Sequence, residues 1–245
     1  MMRLETVEAL KIKRDGEFRI SDCIAPEDRV QIFLNDSYIT TQVANAENIA
    51  ELGAGYVVSE GLSDQVTEVD VRGNRVFVYG TGDFAPDRIV KECSTSGGTD
   101  IVGPPKTVES DIRISKDMVF RISSMIVSEE WKKTGGMHCS VLFKDEEVLA
   151  KMTDIGRHNT IDKIIGFAAL NGIDLSECYV GCTGRQPSAM VSKCANAGIP
   201  IIISKAASTI GGISVARNSG ITLVCFARDE RFTVYSNEWR IAGLN

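Results

Sequence analysis

Polar and apolar positions alternate along much of the first hundred residues, and the rhythm then changes. Charged and apolar residues alternate from the start to about residue 14. Residues 30–34 and 37–42 alternate on either side of Asn35-Asp36, which predicts a hairpin closed by a tight turn. Residues 46–60 place Ile49, Leu52 and Tyr56 on one helical face, with Gly61 as the stop. Residues 66–71 and 75–79 alternate around Gly73-Asn74, a second hairpin. After Pro86 comes the polar, glycine-ended run Lys91-Glu92-Cys93-Ser94-Thr95-Ser96-Gly97-Gly98, which reads as an exposed flexible loop. Pro104-Pro105 closes this half, so the expected division is an α+β domain over 1–108 and a larger domain over 109–245.

The second half reads as strands alternating with helices. Ser115 is placed to cap a helix running to Lys133, with Met118, Ile122, Met125 and Ile126 inward and Gly135-Gly136 ending it. Residues 139–143 and 148–153 form a hairpin across Lys144-Asp145-Glu146. A helix follows with Ile161, Ile164, Ile165, Ala168 and Ala169 at core spacing, ending at Asn171-Gly172. Strands at 179–182, 199–204 and 222–226 then alternate with helices at 188–197 and 208–218, and 232–235 pairs with the last strand. This pattern predicts an α/β unit with a largely parallel sheet and helices on both faces.

Composition narrows the class. At 245 residues, 43% hydrophobic and 24% charged, the chain is an ordinary globular sequence. Its net charge of −6 argues against a non-specific nucleic-acid binder. No apolar run reaches the 18 residues of a membrane span, and the N-terminus lacks the apolar core of a signal peptide. Seven cysteines, an odd number in an unexported chain, read as reduced thiols in the cytoplasm.

Candidate chemistry concentrates in Asp154-Ile155-Gly156-Arg157-His158-Asn159-Thr160-Ile161-Asp162-Lys163, at a predicted strand–helix junction. A helix start offers unpaired backbone N–H groups and partial positive charge to an anion. The only two histidines, His138 and His158, fall around it. A structural use is open beside this one: Asp154, Asn159 and Thr160 capping the helix while Arg157 and Asp162 pair at the surface. Three further polar junctions belong to the same predicted sheet end: Thr183-Gly184-Arg185-Gln186, Lys205-Ala206-Ala207-Ser208-Thr209 and Arg228-Asp229-Glu230-Arg231. Together they form a cationic rim suited to phosphate-bearing ligands. No Gly-x4-Gly-Lys-Ser/Thr run is present, so ATP hydrolysis has no support. Cys93 is the thiol whose polar neighbours suggest an exposed nucleophile, activated by nearby positive charge. Cys139, Cys178, Cys182, Cys194 and Cys225 sit in or beside apolar runs and read as core residues, and Cys23 is ambiguous. Cys178-x3-Cys182 lacks a second spaced pair, so no metal site is expected.

The runs Gly135-Gly136-Met137-His138 and Asp154 through Lys163 resemble the signature of the FdhD/NarQ family, the formate dehydrogenase accessory sulfurtransferases. The likeness extends to 52–62, Thr183-Gly184-Arg185, Ser208-Thr209 and 223–235. It implies a three-layer αβα C-terminal domain similar to the cytidine deaminase fold, without the zinc chemistry. It implies a homodimer that binds the bis-molybdopterin guanine dinucleotide form of molybdenum cofactor. The implied task is to take persulfide sulfur from a cysteine desulfurase and pass it to the molybdenum centre for formate dehydrogenase. Cys93 matches the first cysteine of the family's Cys-Gly-x-Cys-Gly loop, and Ser96 replaces the second. Phe226, Ala227, Arg228, Asp229, Glu230 and Arg231 resemble the cofactor-binding turn, with Asp229-Glu230 in place of Pro-Gly. Arg157, His158 and Arg185 complete the expected cofactor site. A cofactor chaperone without sulfur chemistry is the alternative, and a zinc-dependent deaminase-type hydrolase has fold analogy alone behind it.

Overall fold

Short turns organise the first part of the chain in the computed structural model, which describes residues 4–82, 89–90, 100–101 and 104–244. The alternation in the opening residues is strand β1 (Glu5–Lys13), paired with β2 (Gly16–Ile24) in a ribbon separate from the other sheets. Strands β3 (Asp28–Leu34) and β4 (Ser37–Ala44) meet at the expected turn. Asn35 (φ 48°) and Asp36 (φ 66°) both take the left-handed conformation that such two-residue loops need. Helix α1 (Ile49–Ser59) follows, then β5 (Gln65–Arg72) and β6 (Arg75–Thr81) around Gly73 (φ 60°). These strands form a sheet in the order β4-β3-β6-β5. Leu52, Tyr56 and Val57 of α1 close its core over Val30, Ile32, Leu34, Val76 and Val78. Strands β7 (Ile89–Val90) and β8 (Asp100–Ile101) make a two-residue pairing. Cys93, between them, lies outside the described residues.

The C-terminal part begins with β9 (Ile114–Ser115), and Ser115 caps α2 (Lys116–Met125) through Met118 N–H at 3.1 Å. The single helix expected to reach Lys133 is two helices. The chain leaves α2 at Ile126, and Ser128 caps α3 (Glu129–Thr134) by accepting from Trp131 N–H. The break is stabilised from outside: Lys151 Nζ donates to the carbonyls of Met125 and Val127, both at 3.0 Å. Gly135 (φ 66°) ends α3 as expected.

Then come β10 (His138–Lys144), β11 (Glu147–Asp154), α4 (Arg157–Leu170), β12 (Tyr179–Cys182), α5 (Ser188–Asn196), β13 (Ile201–Ser204), α6 (Ile210–Asn218), β14 (Thr222–Arg228), β15 (Arg231–Ser236) and β16 (Ile241–Ala242). The six-stranded sheet runs β11-β10-β12-β13-β14-β15. It is mixed rather than largely parallel: only β12–β13 and β13–β14 are parallel. The two hairpins, β10–β11 and β14–β15, add antiparallel strands on either side, because a tight turn cannot return a strand in parallel. Helices cover both faces, as expected, in three layers. Ile161, Ile164, Met190, Cys194 and Ala216 of α4, α5 and α6 pack on one face, and Met118, Val119 and Ile122 of α2 on the other.

The two parts of the chain meet along α1 and α4 with almost no space between backbones. A Cβ on Gly55 would fall 1.7 Å from the Asp162 carbonyl oxygen, and one on Gly166 would fall 1.9 Å from that of Glu51. Only glycine permits this approach at either position.

Candidate functional site

Strand register places four polar junctions and His138 on one edge of the large sheet. His138 opposes Asp154, and Ser140 opposes Cys182, so the start of β10 and the ends of β11 and β12 are level. Cys182 is level with Ser204, and Ile203 with Val224, which adds the ends of β13 and β14. Arg157-His158, Thr183-Gly184-Arg185, Lys205-Ala206 and Phe226 through Arg228 are thus gathered where α4, α5 and α6 begin. In the sequence they are spread over about seventy residues.

The central segment divides between two jobs. Asp154 and Lys163 are buried and paired at 2.7 Å, and Lys163 Nζ also reaches Asn45 Oδ1 at 2.7 Å. Asn45 N–H donates to Asp154 Oδ2, and Asn159 Nδ2 bridges Asp154 Oδ1 to the Val43 carbonyl. One turn further along, Asp162 pairs with Lys193 at 2.9 Å and accepts from Ser59 Oγ at 2.6 Å, while Lys193 also pairs with Glu60. Burial alone would lower the Lys193 ammonium, but Asp162 and Glu60 outweigh it and hold its pKa above the usual lysine range. These charges bind the N-terminal half to the C-terminal one. The surface pairing of Arg157 with Asp162 does not occur, and the α4 N-cap is Gly156 without a side-chain cap. Asp154 Oδ1 instead accepts from Gly156 N–H at 2.9 Å.

Arg157 and His158 are left over from that clamp. Among the described residues Arg157, Arg185 and Lys205 have no acidic partner, and Arg185 is close enough to disfavour the charge on Arg157. Arg157 is half-buried and its Nε is without a hydrogen-bond partner. Its pKa is lowered by burial first and by Arg185 second. His158 is only 4% exposed and its Nε2 is also unpartnered. Burial, with Lys193 and Arg157 adding, pulls its imidazole down to about 3, so it is neutral at physiological pH. His138 Nδ1 lies 3.2 Å from Thr183 Oγ1, and burial and Arg157 lower its pKa too. Gly184 allows Arg157 to lie across it, since a Cβ there would stand 2.7 Å from that of Arg157. Gln186 is buried with Oε1 unpartnered, while its Nε2 donates to the Gly184 carbonyl.

The Phe226–Arg231 stretch is a continuation of the β14–β15 hairpin. Phe226 is half-buried with φ 53°, a strained backbone for an aromatic residue, at a register shift between Cys225 and Arg228. Its N–H donates to the Ala206 carbonyl, tying it to the loop after β13. Ala227 is buried, Arg228 and Arg231 form the closing strand pair, and Asp229 and Glu230 are the exposed turn. Cys139, Cys178, Cys182, Cys194 and Cys225 are buried as expected, and Cys23 is half-buried. Burial pushes the Cys139, Cys182 and Cys225 thiols up to about 12, which makes them poor nucleophiles. Among the described residues no group of three His, Cys, Asp or Glu is placed to hold a metal ion, and no helix is long and apolar enough to cross a membrane.

The model of the FdhD/NarQ family matches residues 25–242. The chain belongs to the FdhD/NarQ family. The sulfur carrier protein FdhD of Methanothermobacter thermautotrophicus is 31% identical over 96% of this chain and 97% of its own. The protein of the same name from Bacillus subtilis is 30% identical over 91% of this chain and 92% of its own. A crystal structure from Desulfotalea psychrophila, described as a formate dehydrogenase accessory protein, superposes with a TM-score of 0.82 at 27% identity. That match covers 97% of this chain and 99% of the other. The resemblance read from Asp154 through Lys163 is therefore family membership. Within that segment Asp154, Asp162 and Lys163 serve the clamp, and the cationic edge falls to Arg157 and the junctions beside it. The sequence reading missed Asn45 and Lys193, and gave no role to Ser59 and Glu60 although both fall in the family-like run 52–62. A lysine at 193, the one charged residue in the run Met190-Val191-Ser192-Lys193-Cys194-Ala195, was the available signal.

Proposed function

We propose that this chain is a sulfur carrier acting on molybdenum cofactor. The Cys93 thiolate attacks the outer sulfur of a persulfide on a cysteine desulfurase. One S–S bond forms as another breaks, the desulfurase thiolate leaves, and Cys93 becomes the persulfide. That outer sulfur is then passed to bis-molybdopterin guanine dinucleotide cofactor, the cargo destined for the catalytic subunit of formate dehydrogenase: the S–S bond breaks, the Cys93 thiolate leaves, and a dithiol-type reductant supplies the two electrons that bring the sulfur to the sulfide level. The working unit is a homodimer.

The observation that carries this reading is Arg157 with Arg185 near enough to disfavour its charge, neither having an acidic partner among the described residues and both beside helix N-termini. Two adjacent arginines repel unless an anion joins them, and a phosphate or pyrophosphate accepts from both forks. Phe226, Arg228 and Arg231 extend the same edge toward the nucleotide end of such a cargo. His158, neutral and with a free Nε2, supplies a hydrogen bond without adding repulsion. Cationic charge at this edge also favours a thiolate brought to it.

Two measurements test the proposal. Incubation with a cysteine desulfurase and L-cysteine adds the mass of one sulfur atom to the wild-type chain and none to Cys93→Ala; equal uptake by both removes Cys93 from the relay. Arg157→Ala and Arg185→Ala each weaken guanosine diphosphate binding about ten-fold or more by calorimetry, in line with loss of a charge-assisted contact. Ser96, in place of a second loop cysteine, favours the chaperone alternative, in which Cys93→Ala retains full effect on formate dehydrogenase maturation.

A further inference from the structure

Strands β1 and β2 form an antiparallel ribbon that belongs to neither large sheet. Their register pairs Glu5 with Ile24, Val7 with Asp22, Ala9 with Ile20, Lys11 with Phe18 and Lys13 with Gly16. Directly opposed residues share a face, so these ten residues line one side of the ribbon. Lys13 Nζ, 5.3 Å from the Phe18 ring centroid, follows from that placement. Val7 is 48%, Phe18 44% and Ile24 45% exposed, and Ile20 at the centre is half-buried. A two-stranded ribbon is marginal by itself in water, and contiguous exposed apolar surface marks a site that meets a partner. Within the chain, β2 comes near α3. The family match begins at residue 25, beyond this ribbon.

The same face is polarised along its length. Glu5 and Asp22 lie toward its open end, Lys11 and Lys13 toward the turn, and Val7, Ala9, Ile20 and Phe18 between. A two-fold axis crossing the ribbon at Ala9 and Ile20 lays the acidic end of one copy over the basic end of the other. The apolar middles then meet. An unrelated partner would have to match this pattern independently, whereas a second copy supplies it through symmetry.

We propose that the ribbon face carrying Val7, Ile20 and Phe18 is a self-association surface that docks on the same face of a second copy. This deepens the homodimer of the proposed function and is independent of the sulfur chemistry. Two nine-residue strands, at about 3.3 Å per residue and about 4.8 Å between strands, give a footprint of about 300 Å² per copy. A stable complex covers about 800 Å² per partner, so the ribbon contact contributes a concentration-dependent association rather than an obligate one.

Sedimentation velocity of the full chain over a micromolar concentration series tests the proposal. Wild type shows a concentration-dependent dimer. Lys11→Glu with Lys13→Glu makes the face uniformly acidic, and Glu5→Lys with Asp22→Lys makes it uniformly basic. Each double variant alone loses at least ten-fold in association, and an equimolar mixture of the two recovers it as a heterodimer. All four side chains are exposed, so circular dichroism remains that of wild type. Wild-type association by either variant, or a mixture that stays as weak as its components, overturns the proposal while leaving self-association elsewhere on the chain. A wild type that is monomeric throughout overturns both. Sulfur uptake on Cys93, read by mass on the same preparations, is unchanged in every case, so this proposal and the sulfur-carrier reading fail on separate assays.

Discussion

His158 shows how far a single buried side chain can depart from its ordinary chemistry. Its imidazole titrates near 6.5 when the chain is unfolded and near 3 in the fold. On acidification the unfolded chain therefore binds a proton that the folded chain refuses. The corresponding stability is present above pH 6.5 and is lost progressively as pH falls toward 3. Between pH 7 and pH 5 this amounts to about 2 kcal/mol, at about 1.4 kcal/mol per pK unit. Urea titrations of wild type and His158→Gln at the two pH values check it: the variant loses about 2 kcal/mol less than wild type does. An equal loss would assign the acid sensitivity to other groups. Arg157 stood beside His158 in the sequence as part of one polar cluster. Which members of that cluster face inward depends on α1 lying over α4, and that packing is not local information.

At the scale of elements, the α1–α4 crossing and the α2–α3 break carry the energetics. Gly55→Ala and Gly166→Ala each drive a methyl group into opposing backbone, which cannot rotate away. Each costs about 3 kcal/mol or more in chemical denaturation, since overpacking of this kind is usually 1–3 kcal/mol where side chains can yield. A loss below about 1 kcal/mol would mean the helices separate easily. Ser128→Ala removes the α3 cap and costs about 1 kcal/mol. The two tight turns, the ends of α1 and α3 and most strand positions were legible because Asn35-Asp36, Gly61, Gly73 and Gly135 each satisfy a local backbone requirement. The α2–α3 break was not, because the carbonyls it frees are satisfied by Lys151, 24 and 26 residues away in the chain.

For the whole molecule, two buried charge clusters lock the halves together along that same seam. Removing one partner leaves an uncompensated buried charge, so Lys163→Met, which strands Asp154, costs about 3–5 kcal/mol. Asp154→Asn together with Lys163→Met costs clearly less than the sum of the two single changes, because no charge remains unpaired. A double-mutant cycle in urea measures this; additive losses would show that the pair is not coupled. The clamp also fixes the cationic edge relative to the N-terminal half.

The sequence by itself determined the hairpins, the Ser115 cap, the alternation of strands and helices and the family signature, because each depends on residues close together in the chain. It also set the apolar surroundings that bury five of the cysteines. Tertiary structure decided the mixed strand order, the division of the central segment between clamp and rim, and the level alignment of Arg157, Arg185, Lys205 and Phe226. Those features depend on which distant backbones lie side by side, and hydrophobic periodicity records that a face is buried without recording what buries it.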